Sequence, residues 1–106
     1  MSVRKIFDKY FNGEKNFMTP NVYEYGERKF GDYFLFYEKS SGNGFDGEDL
    51  FGITFLIMNK GEVKRIDLSK CFNSKKEVDD YLKSITSKDI TFADTYGEVK
   101  GMAELY

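Results

Sequence analysis

The most informative pattern of apolar and polar residues lies in the middle of the chain. Residues 51–58 form the longest apolar run, Asn59-Lys60-Gly61 interrupts it, and residues 62–68 mix apolar with charged side chains. Two runs rich in β-branched and aromatic residues, separated by a short segment that contains glycine, predict a β-hairpin. Gly61 suits the left-handed position of a three-residue loop in which Asn59 and Lys60 form a type I turn.

Two segments show the spacing of an amphipathic helix. Near the start of the chain an apolar stripe recurs every three or four residues, at Val3, Ile6, Phe7, Tyr10 and Phe11. After the hairpin, Ser74 and Glu77 have the spacing of a capping box. A second apolar stripe follows this box, at Val78, Tyr81, Leu82 and Ile85. The sequence therefore predicts an N-terminal helix and a second helix after the hairpin.

The segment between the first helix and the hairpin favours short strands. Residues 22–25 predict a strand at a sheet edge, residues 33–37 predict a second strand, and the polar residues 26–32 predict a turn between them. Loops are predicted over residues 14–21, which include the only proline, and over the glycine-rich residues 40–49.

The chain after Ser87 has no single clear period, and the form of residues 88–106 stays open at this level. Alternation with polar residues indicates a last strand at Ile90, Phe92 and Tyr96. Helical spacing follows farther on, at Val99, Met102, Ala103 and Tyr106, although the two intervening glycines weaken a helix there.

Together these elements predict a single α+β domain over residues 1–106. Its sheet is expected to be a four- to five-stranded antiparallel meander, because the links between successive strands are short. An N-terminal helix precedes the sheet, and a second helix follows its fourth strand. Residues 33–37 and 53–58 are apolar on both alternating faces, so both faces need cover. Helices on one face alone would leave apolar surface for the tail, a second copy or another protein.

Composition adds an unusual aromatic content to this picture. Aromatic residues make up 18% of the chain, with 11 Phe, 8 Tyr and no Trp. Such residues serve sheet cores first, and a surplus is often found at contact surfaces. The formal net charge of -2 argues against a general nucleic-acid binder, which needs a basic excess.

The single cysteine, Cys71, excludes an internal disulfide and is typical of a reducing compartment. The start of the chain lacks the pattern of a signal peptide, and no apolar stretch approaches the ~20 residues that cross a bilayer. We therefore expect a cytoplasmic protein without membrane contact. Cys71 precedes the second helix, where a thiol can be reactive, but a buried apolar role is the more common one.

The residues that the chain lacks limit its chemistry. Without histidine there is no Ser-His-Asp or Cys-His pair, and one cysteine cannot assemble a structural zinc site. Neither of the glycine-rich phosphate-binding motifs is present. Asp46, Glu48 and Asp49 could bind a hard cation, but their spacing departs from the EF-hand pattern and favours a solvated loop. We expect no catalytic residues, no cofactor and no metal.

These observations favour a small non-enzymatic protein-binding module, such as a stoichiometric inhibitor or adaptor of a larger cytoplasmic protein. In size and chemistry it resembles the small antagonists of host defence that phages and mobile elements encode, and immunity proteins. The expected partner-binding residues are Tyr33, Leu35, Tyr37, Phe45, Asp46, Glu48 and Asp49.

Three alternatives stay open. One is a nucleic-acid-binding accessory protein that uses a basic set on the hairpin and second helix. Its residues would be Lys60, Lys64, Arg65, Lys70, Lys75 and Lys76. Another is a structural homo-oligomer, in which the protein partner is a second copy of the chain. The third is an enzyme that works with carboxylates, tyrosine and lysine alone.

Overall fold

The computed structural model describes residues 2–11, 19–67 and 71–96 of the chain. The elements in these ranges are α1 (Val3–Phe11), β1 (Asn21–Phe30), β2 (Tyr33–Asn43), β3 (Asp49–Asn59), β4 (Glu62–Asp67), α2 (Lys75–Ser84) and α3 (Ser87–Tyr96). The strands pair antiparallel in the order β1-β2-β3-β4. The α+β fold is therefore confirmed, with its meander sheet, its N-terminal helix and a helix after the fourth strand.

The first two strands are longer than predicted, so the turn between them is tight. β1 continues through most of residues 26–32, predicted as a polar turn, up to Phe30, which pairs with Tyr33. Gly31 has a φ of 60°, in the left-handed region that a two-residue hairpin turn requires. β1 is an edge strand, as predicted, and exposed residues recur along it, so its charged side chains do not oppose strand formation.

The central hairpin is confirmed, but the predicted length of its turn was wrong. Asn59 pairs with Glu62, which leaves only Lys60 and Gly61 in the loop. Both residues have positive φ, 52° and 81°, as in a type I′ turn, whose twist matches that of the flanking strands. Gly61 does occupy the left-handed region, as the sequence predicts.

The capping box at the start of α2 is present in a slightly shifted form. Ser74 Oγ accepts a hydrogen bond from the Glu77 amide at 3.1 Å. Glu77 Oε2 accepts one from the Asn73 amide at 2.8 Å, one residue before the N-cap. Both bonds satisfy amides that a helix start leaves without partners, so they fix where α2 begins.

A last strand at Ile90, Phe92 and Tyr96 was the wrong prediction, because this segment is α3. Asp89 Oδ2 accepts hydrogen bonds from the Thr86 amide at 2.8 Å and from Thr86 Oγ1 at 3.0 Å. Thr86 and Asp89 thus have capping-box spacing, a helix-start signal that the alternation of apolar residues concealed. The helical spacing noted after Val99 lies outside the described residues, as does most of the loop predicted over residues 14–21.

Helices cover both faces of the sheet. On the face of α1, the buried cluster is Ile6, Phe7, Phe36 and Leu56. On the face of α2 and α3, the buried cluster is Leu35, Ile53, Phe55, Ile57, Phe72, Val78, Tyr81, Leu82, Ile85 and Ile90. The two central strands are apolar on both alternating faces, so each face has a helix to bury it. We call these surfaces the α1 face and the α2–α3 face.

Candidate functional site

β2 and β3 run past their neighbours and form a projecting two-stranded finger. β1 begins at Asn21, opposite Ser41, and β4 ends at Asp67, opposite Thr54. The pairs Gly42–Leu50 and Asn43–Asp49 lie beyond both of these points. In the described part of the chain, residues 42–50 therefore pair only with one another, and we call them the β2–β3 finger.

The tip of the finger is a compact turn with its own hydrogen bonds. The Gly44 amide donates to the Glu48 carbonyl at 2.8 Å, and the Gly47 amide donates to the Gly44 carbonyl at 3.0 Å. The Asp46 amide donates to Glu48 Oε2 at 3.2 Å. A Cβ at Gly44 would lie 2.2 Å from Glu48 Oε1, so the carboxylate packs directly against this glycine. These contacts give residues 44–48 a defined shape. The rest of the loop predicted over residues 40–49 was wrong, because residues 40–43 belong to β2 and Asp49 begins β3.

Phe45 lies at this tip with its side chain 100% exposed. Among the described large apolar side chains, Tyr10 is the only other exposed one, at 46%. Asp46, Glu48 and Asp49 are exposed beside Phe45. The structure thus brings together four of the predicted partner-binding residues as an apolar knob among carboxylates.

The other three predicted partner-binding residues lie on the α2–α3 face. Leu35 is 0% exposed and belongs to the larger buried cluster, so it has no surface to offer a partner and that part of the prediction was wrong. Tyr33 and Tyr37 are half-buried and pack against the same cluster. Tyr33 is also ten residues from Asn43 along β2, which is roughly 33 Å of strand. These residues do not extend the surface of the finger.

A buried lysine that sequence reasoning missed links the sheet to α2. Lys39 is 8% exposed, and its ammonium pairs with Asp79 Oδ1 at 2.7 Å and with the carboxylate of Glu24. Burial by itself lowers the pKa of Lys39, but the hydrogen bonds to Asp79 and Glu24 outweigh it and raise the pKa above its ordinary value. Lys39 therefore remains a cation near neutral pH and is not a nucleophile or a general base.

Tyr23 lies close to this ion cluster. Its hydroxyl is buried without a hydrogen-bond partner in the described part of the chain, and burial raises the pKa of the phenol. Lys75 lies over the Tyr23 ring, with its Nζ 4.6 Å from the ring centroid. With the Tyr23 phenol neutral and Lys39 cationic, this pair offers neither a base nor a nucleophile near pH 7.

The basic residues proposed for nucleic acid do not share one edge of the sheet. Lys75 contacts Tyr23, a bulged residue of β1 that lies close to the Lys39–Ile53 pair of β2 and β3. Lys60 instead follows Asn59, at the far end of β3. Six residues of strand between Ile53 and Asn59 correspond to roughly 20 Å.

The other members of this basic set vary in what the structure shows of them. Lys76 pairs with Asp80 at 2.8 Å, and Lys64 is half-buried on β4. Lys70 and the side chain of Arg65 lie outside the described residues. The two ends of the sheet thus each carry part of the set.

Metal and thiol chemistry have little support in the described residues. Within them, no three His, Cys, Asp or Glu side chains come together as a metal site. Asp46, Glu48 and Asp49 therefore do not form one either. Cys71 is a half-buried free thiol in the segment that leads into α2, so it is not the fully buried residue that its type suggests.

Comparisons of the chain with protein-family models, with curated proteins and with solved structures gave no match. No described helix is long and apolar enough to span a bilayer. The candidate sites are therefore the β2–β3 finger and the surroundings of Lys39, judged on their geometry alone.

Proposed function

We propose that the protein is a small non-enzymatic protein-binding module whose β2–β3 finger inserts into a larger cytoplasmic protein, as a stoichiometric inhibitor or adaptor. The observation that carries this proposal is Phe45, fully exposed at the tip of a hydrogen-bonded hairpin. Burying a phenylalanine side chain in a pocket contributes roughly 2–3 kcal/mol. The fixed turn reduces the conformational entropy that binding would otherwise cost.

The charges of the finger indicate the chemistry of the partner. The finger carries Asp46, Glu48 and Asp49 and no basic residue. Glu48 is engaged with the turn, which leaves Asp46 and Asp49 for a partner. A complementary surface has an apolar socket for Phe45 and lysine or arginine at its rim, because opposite charges steer association and fix register.

Partner capture from a lysate of the source cells tests this proposal, with the purified chain at several micromolar as bait. We expect one partner to bind the wild-type chain and Phe45→Ala to weaken that binding about tenfold or more. Tyr10→Ala is the matched control, since among the described residues it removes the other exposed aromatic side chain, and it should leave binding unchanged. Repeated failure to capture a stable partner, or equal capture by Phe45→Ala, would contradict the proposal.

Two further measurements complete this test. The double variant Asp46→Asn, Asp49→Asn should slow association and reduce its salt dependence, because rim charges act mainly on the on-rate. Phe45→Ala should change the free energy of unfolding by less than about 0.5 kcal/mol, since surface substitutions rarely do more. Loss of stability in that variant would assign Phe45 to folding instead of binding.

A further inference from the structure

A cleft of about 480 Å³ lies between β1, β2 and α2. Its volume is within the range typical of small-molecule sites. The residues that line it are Arg28, Tyr37, Lys39, Asp79, Leu82 and Lys83. It is separate from the β2–β3 finger. One of its lining residues is Tyr37, a predicted contact residue that lies outside the finger.

The charges of the cleft are polarised along α2. At one end Asp79 and Glu24 neutralise Lys39, and the carboxylates of that end are in excess. At the other end Arg28 and Lys83 form no ion pair with a carboxylate in residues 19–67 and 71–96. Asp79 and Lys83 are one helical turn apart, about 6 Å. The Arg28–Lys83 end is therefore the place for an anion.

Arg28 is already oriented for such a role. Its Nη1 donates to the Leu82 carbonyl, and its guanidinium carbon lies 4.7 Å from the centroid of the Phe30 ring. A guanidinium has five N–H donors in a planar fork, so the bond to Leu82 leaves others for a ligand. That fork matches the geometry of carboxylates and phosphates. Fixing it in advance lowers the entropic cost of binding.

The apolar part of the cleft suggests the rest of the ligand. The Tyr37 ring is half-buried, and Leu82 provides an aliphatic wall beside Arg28. A Cβ at Gly26 would lie 2.2 Å from the Tyr37 hydroxyl, so the ring is seated directly over the glycine of the edge strand. A ligand body next to Arg28 would thus meet apolar surface on two sides.

We propose that this cleft binds a small organic anion, with its carboxylate or phosphate held by Arg28 and Lys83 and its apolar body against Tyr37 and Leu82. The proposal does not depend on the function of the finger.

This proposal is tested by titrating the full chain with phenyl phosphate and with benzoate while recording amide NMR shifts. Benzyl alcohol is the neutral control. We expect saturable shifts at Arg28, Tyr37 and Lys83 with one or both anions and none with the alcohol. The relative affinity of the two anions assigns the site to phosphates or to carboxylates.

Two variants locate the binding. Each of the variants Lys83→Gln and Arg28→Gln should raise the dissociation constant of the probes about tenfold. Lys83 is exposed, so its substitution should not affect folding. Lys76→Gln on the same helix is the matched control, because Lys76 pairs with Asp80 and does not line the cleft. Phe45→Ala should bind the probes as the wild type does, which separates this site from the finger.

Three outcomes would overturn the assignment. The first is an absence of saturation up to about 10 mM probe, a concentration at which even weak fragment-sized ligands bind. The second is a set of shifts spread over all exposed lysines. The third is equal affinity of Lys83→Gln and the wild type for the probes.

Discussion

The two faces of the sheet are covered to different depths. Among the described residues, the α2–α3 face buries ten side chains in one cluster, whereas the α1 face buries four. Two helices pack on the first face. Among the described residues, α1 contributes the buried Ile6 and Phe7 and the partly buried Val3 to the second. Because apolar burial is the main stabilising term, we infer that the α2–α3 face supplies most of the stability of the sheet.

The side-chain hydrogen bonds of the two faces connect different parts of the chain. On the α2–α3 face Lys39 and Arg28 both reach from the sheet to α2, through Asp79 and the Leu82 carbonyl. On the α1 face, the described residues include a buried hydrogen bond between Thr19 Oγ1 and Ser40 Oγ, at 2.8 Å, and a side-chain hydrogen bond between Glu38 and Tyr25. The first of these bonds links the sheet to the segment before β1 and not to a helix. On the α2–α3 face, side-chain hydrogen bonds thus join α2 directly to the sheet beside the larger apolar cluster.

The largest expected effect compares one leucine on each face. Leu35 and Leu56 are both 0% exposed, the first in the larger cluster and the second in the smaller one. We expect Leu35→Ala to lower the free energy of unfolding by about 4 kcal/mol and Leu56→Ala by about 3 kcal/mol, because the cost depends on how far the surroundings relax into the cavity. Urea unfolding followed by circular dichroism measures both. Equal losses would show that α1 is held as firmly as α2.

A smaller effect is expected at Gly52 on the α1 face. A Cβ there would lie 2.5 Å from Thr19 Oγ1 and 3.4 Å from Ser40 Oγ. Gly52→Ala should therefore displace Thr19, break its bond to Ser40 and cost about 2 kcal/mol. Ser40→Ala is the control, since it removes the same bond without adding a methyl group and should cost about 1 kcal/mol. If Gly52→Ala cost no more than its control, the segment before β1 would be free to move aside.

The smallest expected effect concerns Lys39 on the α2–α3 face. Replacing it with methionine keeps the buried stem and leaves Asp79 and Glu24 without their cation. Both carboxylates are about half exposed, at 49% and 50%, so we expect a loss of only about 1 kcal/mol at pH 7. The measurement is the difference in the free energy of unfolding between the wild type and Lys39→Met.

The pH dependence of that difference sharpens the test. The pKa of Lys39 is raised above 10.5 in the folded state, so the folded chain binds this proton more tightly than the unfolded chain. The stabilisation should be fully present below pH 10.5 and disappear as the pH rises through the folded pKa. A difference that changes between about pH 7 and 9 would point to other groups.

Local signals predicted the elements with the strongest chemistry of their own. The Ser74–Glu77 capping box marked the start of α2, and the break at Gly61 marked the central hairpin. The misses occurred where two local signals competed. At residues 26–30 the charges suggested a turn, yet an edge strand tolerates exposed charges. At Ile90 an alternating pattern hid the Thr86–Asp89 cap of α3.

The candidate site was predicted only in part, for a related reason. Phe45 and its acidic neighbours lie within residues 45–49, so the sequence alone identifies them as one group. Glu24, Lys39 and Asp79 come from three elements, and no local spacing connects them. Arg28 and Lys83 are likewise brought to one cleft by the packing of α2 on β1 and β2.

The amino-acid sequence by itself determined the order of the elements from α1 to α2, the antiparallel meander and the acidic, aromatic composition of the finger. Periodicity, caps and turn residues act over a few neighbouring positions, so they are legible in the chain. Only the tertiary structure decided that helices lie on opposite faces, that Leu35 is buried while Phe45 is not, and that Lys39 pairs with α2. Those outcomes depend on which distant side chains share a face, and the apolar pattern of β2 is the same on both of its faces.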